Sequence, residues 1–185
     1  MTKLIPVSEV HKFDEDSLAK YLTSVGLNEF EGGLEAKQFQ GGQSNPTFAI
    51  EGKKTRYVLR KKPPGKLLPS AHLIEREYRI MNALSQTDVP VPKMHHLCEN
   101  PDVIGTAFFV MDFLEGRIID DTSLPGDFTA SDRLEIFDSM NKALAALHCV
   151  DFKKIGLEDY GKPENYIGRQ IDRWTKQFDA AKTDP

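Results

Sequence analysis

A glycine-rich segment with amide and hydroxyl side chains is the first part of the sequence whose residue types could carry chemistry. Residues 40–48 read QGGQSNPTF, and the positions in them that could contact a ligand are Gly41, Gly42, Gln43, Ser44, Asn45 and Thr47. Glycine permits positive φ and a close approach of the backbone, and successive backbone N–H groups at such a bend can hold a phosphate. The segment predicts a phosphate-binding loop, with a hairpin turn that needs glycine as the alternative. It lacks the G-x-x-x-x-G-K-[ST] pattern of a P-loop.

A cation for such an anion is available at the basic end of a strand pattern that reads RYVLRKK. Strand alternation places Tyr57 and Leu59 on one face of this strand. Val58 and Arg60 then lie on the other face, where Arg60 could reach a phosphate held by the neighbouring glycine-rich hairpin. Lys61 is the competing choice if the strand register differs by one residue. The alternative to both is a solvated strand end.

A carboxylate that could hold this cation lies in the following helical pattern, LIEREYR. Glu77 is next to Tyr78, at the edge of the face predicted to be buried. A carboxylate at this place could pair with the cation of the strand and fix its position. The alternative is a charged helix surface exposed to solvent.

The segment FFVMDFLEG over 108–116 is an apolar strand that runs into an acidic residue and a glycine. Phe109 and Val110 are predicted to be buried strand core. If the strand ends at a hinge between two lobes, its last backbone groups are exposed to a planar ligand. We therefore interpret the end of this strand as a second part of the candidate site.

The spacing of apolar residues predicts both helices and strands as the elements that position these residues. A short amphipathic helix is predicted over 14–25 and a second over 71–85, the latter capped by Ser70. Strands are predicted over 34–40, 46–51, 56–61, 93–99 and 106–113. After the first helix the order is β-β-β-α-β-β, and the fold class is α+β: a five-stranded antiparallel sheet with one helix, followed by a helical part.

Residues after 129 are predicted to be helical. Thr129 with Asp132 three residues later forms a capping-box-like start for a helix through about Val150. Pro163 suits the first turn of another helix. Its apolar residues recur on one stripe and are Ile167, Ile171, Trp174 and Phe178. The boundary between the sheet-rich and helical parts is predicted between Gly116 and Thr129.

Composition excludes several classes of protein. Lys and Arg total 24 against 28 Asp and Glu, a net charge of −4, which gives no general basic field for nucleic acid. The two cysteines, Cys98 and Cys149, form no C-x-x-C and predict no disulfide scaffold. The N-terminus has no apolar signal region, and no apolar run is long enough to span a membrane. We expect a cytoplasmic protein.

Other reactive residue types are interpreted as structural. His95 and His96 are predicted to alternate across a strand, so they could not readily bind one metal ion. Cys149 beside His148 on a helix does not make a catalytic dyad. The remaining candidates are the isolated His11 and His72 and the Asp120–Asp121 pair, which we interpret as a solvated turn. No metal site is predicted.

The order of glycine-rich hairpin, strand cation, helix glutamate, apolar strand and hinge resembles the N-terminal lobe of the protein-kinase-like fold. More specifically, GGQSNPTF, YVLRKKPPG, EREYRIMNAL, FFVMDFLEG and ALAALHCVDFKKIGLEDYGKPENYIGRQIDRW resemble the aminoglycoside phosphotransferase (APH) family, near the branch fused to long acyl-CoA dehydrogenases. The resemblance covers about residues 14–182. It implies an N-terminal helical extension over 1–33, a kinase-like N-lobe with hinge over 34–116 and the start of a helical C-lobe over 117–185.

The resemblance also implies roles for individual residues. Residues 41–47 resemble the nucleotide loop, Arg60 stands where protein kinases have the phosphate-binding lysine, and Glu77 resembles its partner. Met111 would limit the depth of the adenine pocket. The hinge that meets the adenine is represented by Asp112, Phe113 and Leu114.

The resemblance implies ATP and Mg²⁺ as cofactors and a small hydroxylated substrate. The family carries its proton-accepting aspartate and its metal ligands in a His-Gly-Asp loop, a following Asn and a later Asp-x-Glu. This sequence has no His-Gly-Asp, His-Arg-Asp or Asp-Phe-Gly. We therefore expect the catalytic aspartate and the Mg²⁺ ligands beyond Pro185.

Three interpretations stay open from the sequence. The chain is the nucleotide-binding half of a kinase, a non-catalytic nucleotide-binding or interaction module (a truncated pseudokinase), or an unrelated α+β domain with the same element order. If the helical part is the opening of a larger lobe, its last helices should expose apolar surface.

Overall fold

A six-stranded antiparallel sheet is the centre of the structure. The structure is a computed structural model that describes residues 3–41, 45–65, 72–119, 121–162 and 164–181. The strands are β1 (Leu4–Pro6), β2 (Glu35–Phe39), β3 (Thr47–Glu51), β4 (Arg56–Lys61), β5 (Met94–Cys98) and β6 (Phe108–Asp112). Their order in the sheet is β1-β2-β3-β4-β6-β5. The chain divides into two units, Met1–Val150 and Asp151–Pro185, and the sheet lies in the first.

Five of the six strands, β2 to β6, lie where the sequence predicts them. The predicted number of five strands is wrong, because β1 is also present. β1 has only three residues and pairs with β2 at the sheet edge, with Leu4 opposite Phe39. Its three residues, LIP, are too few to show an alternating pattern. Its proline is tolerated because an edge strand needs hydrogen bonds on one side only.

Four α-helices accompany the sheet: α1 (Glu15–Ser24), α2 (Ile74–Leu84), α3 (Ala130–His148) and α4 (Tyr166–Ala181). The α1 N-cap is Asp14, whose carboxylate accepts a hydrogen bond from the Ser17 backbone N–H at 2.9 Å. The helix predicted over 71–85 begins at Ile74, after Leu73 as its N-cap. The predicted cap Ser70 and the predicted first-turn Pro163 lie outside the described residues.

The larger hydrophobic core lies between α1 and one face of the sheet. Leu18 and Leu22 of α1 are fully buried and belong to one cluster with Phe48, Leu59 and Phe108 of the strands. We call this the α1 face. The opposite face carries a smaller cluster in which Ile74 of α2 packs with Met94 and Phe109, and we call it the α2 face. This confirms the predicted alternation of β4, since Tyr57 and Leu59 both belong to the α1 face.

The helix α3 begins with the capping box that the sequence predicts. The Thr129 side chain accepts from the Asp132 N–H at 3.1 Å, and the Asp132 carboxylate accepts from the Thr129 N–H at 2.8 Å. Five of its large apolar side chains are 43–73% exposed: Leu134, Phe137, Met140, Leu144 and Leu147. This confirms the prediction of exposed apolar surface on this helix.

The second unit contains α4. Its predicted apolar stripe is present and 60–73% exposed, at Ile167, Ile171, Trp174 and Phe178. Within the described ranges, no helix combines the length and apolarity needed to cross a bilayer.

The α1 face predicts a clear stability effect. Leu22→Ala removes a fully buried side chain and should lower the free energy of unfolding by about 2–5 kcal/mol. Leu134→Ala is the matched control, because Leu134 is 73% exposed, and it should change stability by less than about 0.5 kcal/mol. Urea denaturation measures both. Equal effects of the two substitutions would contradict the assignment of α1 to the core.

Candidate functional site

An ion pair joins strand β4 to helix α2. Arg60 Nε donates to Glu77 Oε2 at 2.6 Å, and Arg60 Nη1 donates to Thr47 Oγ1 at 2.9 Å. The geometry follows from strand pairing, because Thr47 on β3 is directly opposite Arg60 on β4. Both charged side chains are about one-third exposed, 30% for Arg60 and 37% for Glu77. The pairing that the sequence suggests between Arg60 and Glu77 is therefore present.

The end of the glycine-rich segment contacts the same glutamate. Asn45 is 4% exposed, and its Nδ2 donates to Glu77 Oε1 at 2.7 Å. Its Oδ1 lies 3.0 Å from His72 Nδ1. Thr47 Oγ1 donates to the Asn45 carbonyl oxygen at 3.2 Å. The prediction that His72 is isolated is wrong, since the chain entering α2 brings it against Asn45.

The rest of the glycine-rich segment is described only in part. Gly41 has φ of +97°, in the left-handed region that favours glycine at a tight bend. Gly42, Gln43 and Ser44 lie outside the described residues, so their predicted contact with a phosphate stays a prediction.

Lys61, the competing cation, belongs to the opposite face of the sheet. Its side chain is buried, with 3% of the residue exposed. Nζ lies 5.5 Å from the ring centroid of Phe13 and 5.9 Å from that of Phe48. Burial lowers the pKa of Lys61. Arg60 is thus the cation of this strand that faces α2, and Lys61 lies in the core of the α1 face.

A cavity of about 750 Å³ lies beside the predicted hinge, and its lining residues include Phe39, Val58, Phe113 and Leu114. The ring of Phe113 stacks on Phe39 with centroids 6.0 Å apart, and the Arg56 guanidinium lies 4.8 Å from the Phe113 centroid. Val58 and Arg60 are two residues apart on β4, so their side chains lie on the same face of the sheet. The cavity and the Arg60–Glu77 ion pair therefore lie on the same face of the sheet.

Two predicted hinge positions belong to β6. Met111 is half-buried opposite Val58 on β4 and Met94 on β5. The Asp112 carboxylate lies 2.6 Å from His95 Nε2. Asp112 pairs with Tyr57 in the strand register, so its side chain points to the α1 face, away from the cavity. Any contact of Asp112 with a ligand in the cavity would use its backbone.

The prediction that His95 and His96 alternate across β5 is wrong. A β-bulge between Met94 and His96 inserts one residue. As a result both imidazoles meet groups of the α1 face: His95 packs on Tyr57 with centroids 4.6 Å apart, and His96 Nε2 lies 2.9 Å from the Tyr21 hydroxyl oxygen. Burial lowers the pKa of His96. Among the described residues, no three His, Cys, Asp or Glu side chains are grouped to hold a metal ion.

Comparison with known proteins identifies relatives along the whole chain. The family model of the phosphotransferase enzyme family, APH, matches residues 35–185. Probable acyl-CoA dehydrogenase IBR3 of Arabidopsis thaliana is 47% identical over 185 residues, covering 96% of this chain and 22% of that protein. Acyl-CoA dehydrogenase family member 11 of Homo sapiens is 42% identical over 181 residues, covering 96% and 23%. The chain thus spans less than a quarter of these relatives.

A solved structure agrees with the sequence relatives. The crystal structure of a candidate aminoglycoside phosphotransferase from Ralstonia eutropha superimposes with a TM-score of 0.77 at 47% identity. The match covers 94% of this chain and 50% of that one. The interpretation of the chain as an unrelated α+β domain is therefore wrong, and the kinase-like α+β fold is confirmed.

The position of Lys61 predicts a pH-dependent stability. A lysine whose pKa is lowered by folding binds fewer protons in the folded than in the unfolded state, so stability rises with pH up to its unfolded pKa of about 10.4. Lys61→Met should raise the free energy of unfolding by about 1–2 kcal/mol at pH 7. This gain should shrink towards pH 10, where the unfolded lysine also loses its proton.

Denaturant titration from pH 6 to pH 10 measures both quantities. Lys142→Met is the control, because the Lys142 side chain is 77% exposed, and its effect should stay below about 0.5 kcal/mol. A loss of stability in Lys61→Met at pH 7 would show that the contacts with Phe13 and Phe48 outweigh the desolvation of the ammonium group.

Proposed function

Because this chain belongs to the phosphotransferase enzyme family, APH, we propose that it supplies the ATP-binding half of a phosphotransferase that acts on a small-molecule hydroxyl. The observation that carries the proposal is the fixed guanidinium of Arg60. A guanidinium has five N–H donors, and within the described residues Glu77 and Thr47 accept from two of them. The other three leave a planar, charged fork for phosphate oxygens.

The cavity beside the hinge supports the same proposal. Val58 lines the cavity, and Arg60 follows it on the same face of β4 at a distance of roughly 7 Å along the strand. In the proposal the adenine lies in the cavity against the backbone of Asp112 to Leu114, with Met111 at its inner end. The triphosphate then extends along β4 towards Arg60 and the glycine-rich residues 41–47.

The proposed reaction is in-line transfer of the γ-phosphoryl group to the substrate hydroxyl. In such reactions the protein contributes mainly by positioning and by neutralising the developing charge. In this chain Arg60 would neutralise charge on the phosphates, and Glu77 would hold Arg60 in position. Residues 41–47 would surround the phosphates with backbone N–H groups.

The groups for proton transfer and metal binding are proposed to lie outside this chain. The sequence contains neither His-Gly-Asp nor Asp-Phe-Gly, and the solved relative is matched over half its length only. A second candidate is a nucleotide-binding module without catalysis. ATP-dependent phosphorylation by the full-length natural protein would support the first candidate, and ATP binding without turnover on any hydroxylated substrate the second.

ATP binding tests the role of Arg60 directly. In a thermal-shift titration of the full-length protein with Mg²⁺-ATP, Arg60→Ala should weaken the apparent affinity roughly tenfold to a hundredfold, since hydrogen bonds to charged groups contribute about 1.5–3 kcal/mol. Lys61→Met is the matched control, because it removes the next cation of the same strand from the opposite face. Equal ATP stabilisation of Arg60→Ala and the unchanged protein would contradict the role of Arg60.

A further inference from the structure

Four residues, one of which is the candidate phosphate cation Arg60, form a closed ring of hydrogen bonds. Asn45 donates to Glu77 at 2.7 Å, and Arg60 donates to the other oxygen of Glu77 at 2.6 Å. Arg60 also donates to Thr47 at 2.9 Å, and Thr47 donates back to the Asn45 carbonyl at 3.2 Å. The ring joins the glycine-rich segment, β3, β4 and α2. It therefore connects every element to which a phosphate contact is assigned.

The direction of each hydrogen bond is fixed by chemistry. An ionised Glu77 only accepts and Arg60 only donates, so Asn45 presents its amide N–H₂ to Glu77. Asn45 Oδ1 is then an acceptor, and His72 Nδ1, 3.0 Å away, carries the hydrogen that it accepts. Reversing the Asn45 amide would place its oxygen against the carboxylate and its N–H₂ against His72.

Because Asn45 is buried, its side-chain amide depends on these hydrogen-bond partners. At 4% exposure, Asn45 is one of two buried polar side chains among the described residues, the other being Lys61. A buried amide that loses its hydrogen-bond partner destabilises the fold, because water cannot replace that partner. Glu77 has both of its oxygens occupied, one by each neighbour. A movement of the glycine-rich segment that displaces Asn45 would therefore release one side of the carboxylate that holds Arg60.

We propose that Asn45 is a positioning residue that couples the glycine-rich segment to Arg60 through Glu77. The proposal rests on the proposed function in assigning the phosphates to Arg60. Both polar atoms of the Asn45 side chain are occupied, by Glu77 and by His72. Asn45 thereby ties the described end of the segment, residues 45–47, to the cation before a nucleotide binds, which reduces the ordering that the nucleotide must impose.

A neighbouring ion pair provides an internal control. Lys62 Nζ lies 2.9 Å from Glu75 Oε2, so it joins the residue after β4 to the first turn of α2 without contacting Asn45. If any bond between these elements were sufficient, Glu75→Gln would reproduce the effect of changing Asn45. If the ring is the coupling element, Glu75→Gln should leave the glycine-rich segment unaffected.

The first experiment measures the Mg²⁺-ATP affinity of the full-length protein from pH 5.5 to pH 8. Asn45→Ala should weaken binding about tenfold at every pH, which is the loss of one charge-assisted hydrogen bond. Asn45→Asp places a second carboxylate beside Glu77, with Arg60 on the other side of Glu77 and His72 against residue 45. Two such carboxylates share a proton at low pH and repel at high pH. The affinity of Asn45→Asp, relative to that of the unchanged protein, should be within about threefold at pH 5.5 and fall more than about tenfold by pH 8.

The pH profile separates positioning from general damage to the fold. Asn82→Ala is the control for the substitution itself, because Asn82 is exposed on α2, and its affinity should not change. The proposal would be overturned if the affinity of Asn45→Asp, relative to that of the unchanged protein, did not depend on pH. It would also be overturned if the affinity of Asn45→Ala were within about twofold of that of the unchanged protein, since a charge-assisted hydrogen bond contributes more than that. Asn45→Asp keeps the size of asparagine and decides the question if Asn45→Ala does not fold.

The second experiment uses hydrogen exchange of the same proteins without ATP, so it does not depend on the proposed function. Asn45→Ala should increase exchange both at Thr47 and Phe48 and in the first turn of α2, and Glu75→Gln should increase it in α2 only. An increase confined to Thr47 and Phe48 in Asn45→Ala would overturn the coupling. If the unchanged protein binds no ATP, the proposed function fails while the exchange result still decides the role of Asn45.

Discussion

The contact between the Arg60 guanidinium and the Glu77 carboxylate sets the requirements that the surrounding structure meets. An ion pair that is about one-third exposed contributes little to stability by itself, so it cannot hold α2 against the sheet. Apolar packing holds the helix against the sheet: Ile74 is fully buried, and Tyr78 packs on Phe109 with ring centroids 6.1 Å apart. Because packing fixes the helix, the ion pair only has to orient two side chains. This is the condition under which a charged group is preorganised for an anion.

The larger core and the candidate site lie on opposite faces of the sheet. The α1 face holds the larger core, and much of its cover comes from residues before the family match, which begins at residue 35. Leu18, Leu22 and Phe30 are all fully buried there. The α2 face carries the cavity and the ion pair, and it has fewer buried apolar residues. Adjacent residues of β4 illustrate the division, since Arg60 faces the site and Lys61 is desolvated in the core.

The sequence predicts well what depends on neighbours along the chain. The period of apolar residues predicts five strands and four helices, and the local pair of Thr129 and Asp132 predicts the start of α3. The features that it does not predict depend on distant partners. His72 and Glu77 are 27 and 32 residues from Asn45. No periodic signal links such residues, and only the packing of α2 on β5 and β6 brings them together.

The bulge in β5 was missed for a related reason. Alternation assigns His95 and His96 to opposite faces, and one inserted residue puts both on the α1 face. The sequence MHHLC contains neither glycine nor proline to mark the irregularity. The insertion is stabilised by contacts made elsewhere, with the Asp112 carboxylate 2.6 Å from His95 and the Tyr21 hydroxyl oxygen 2.9 Å from His96.

The ring around Arg60 also explains why arginine suits this position better than lysine. Glu77 and Thr47 accept from two different nitrogen atoms of one planar group. A lysine presents all its N–H donors from a single nitrogen, so the glutamate, the threonine and a phosphate would compete for the space around one atom. The guanidinium separates these tasks, because Nε and Nη1 donate to the protein and three of its five N–H donors are left for the anion of the proposed function. Under that proposal, arginine can keep both protein partners and still offer donors to a phosphate.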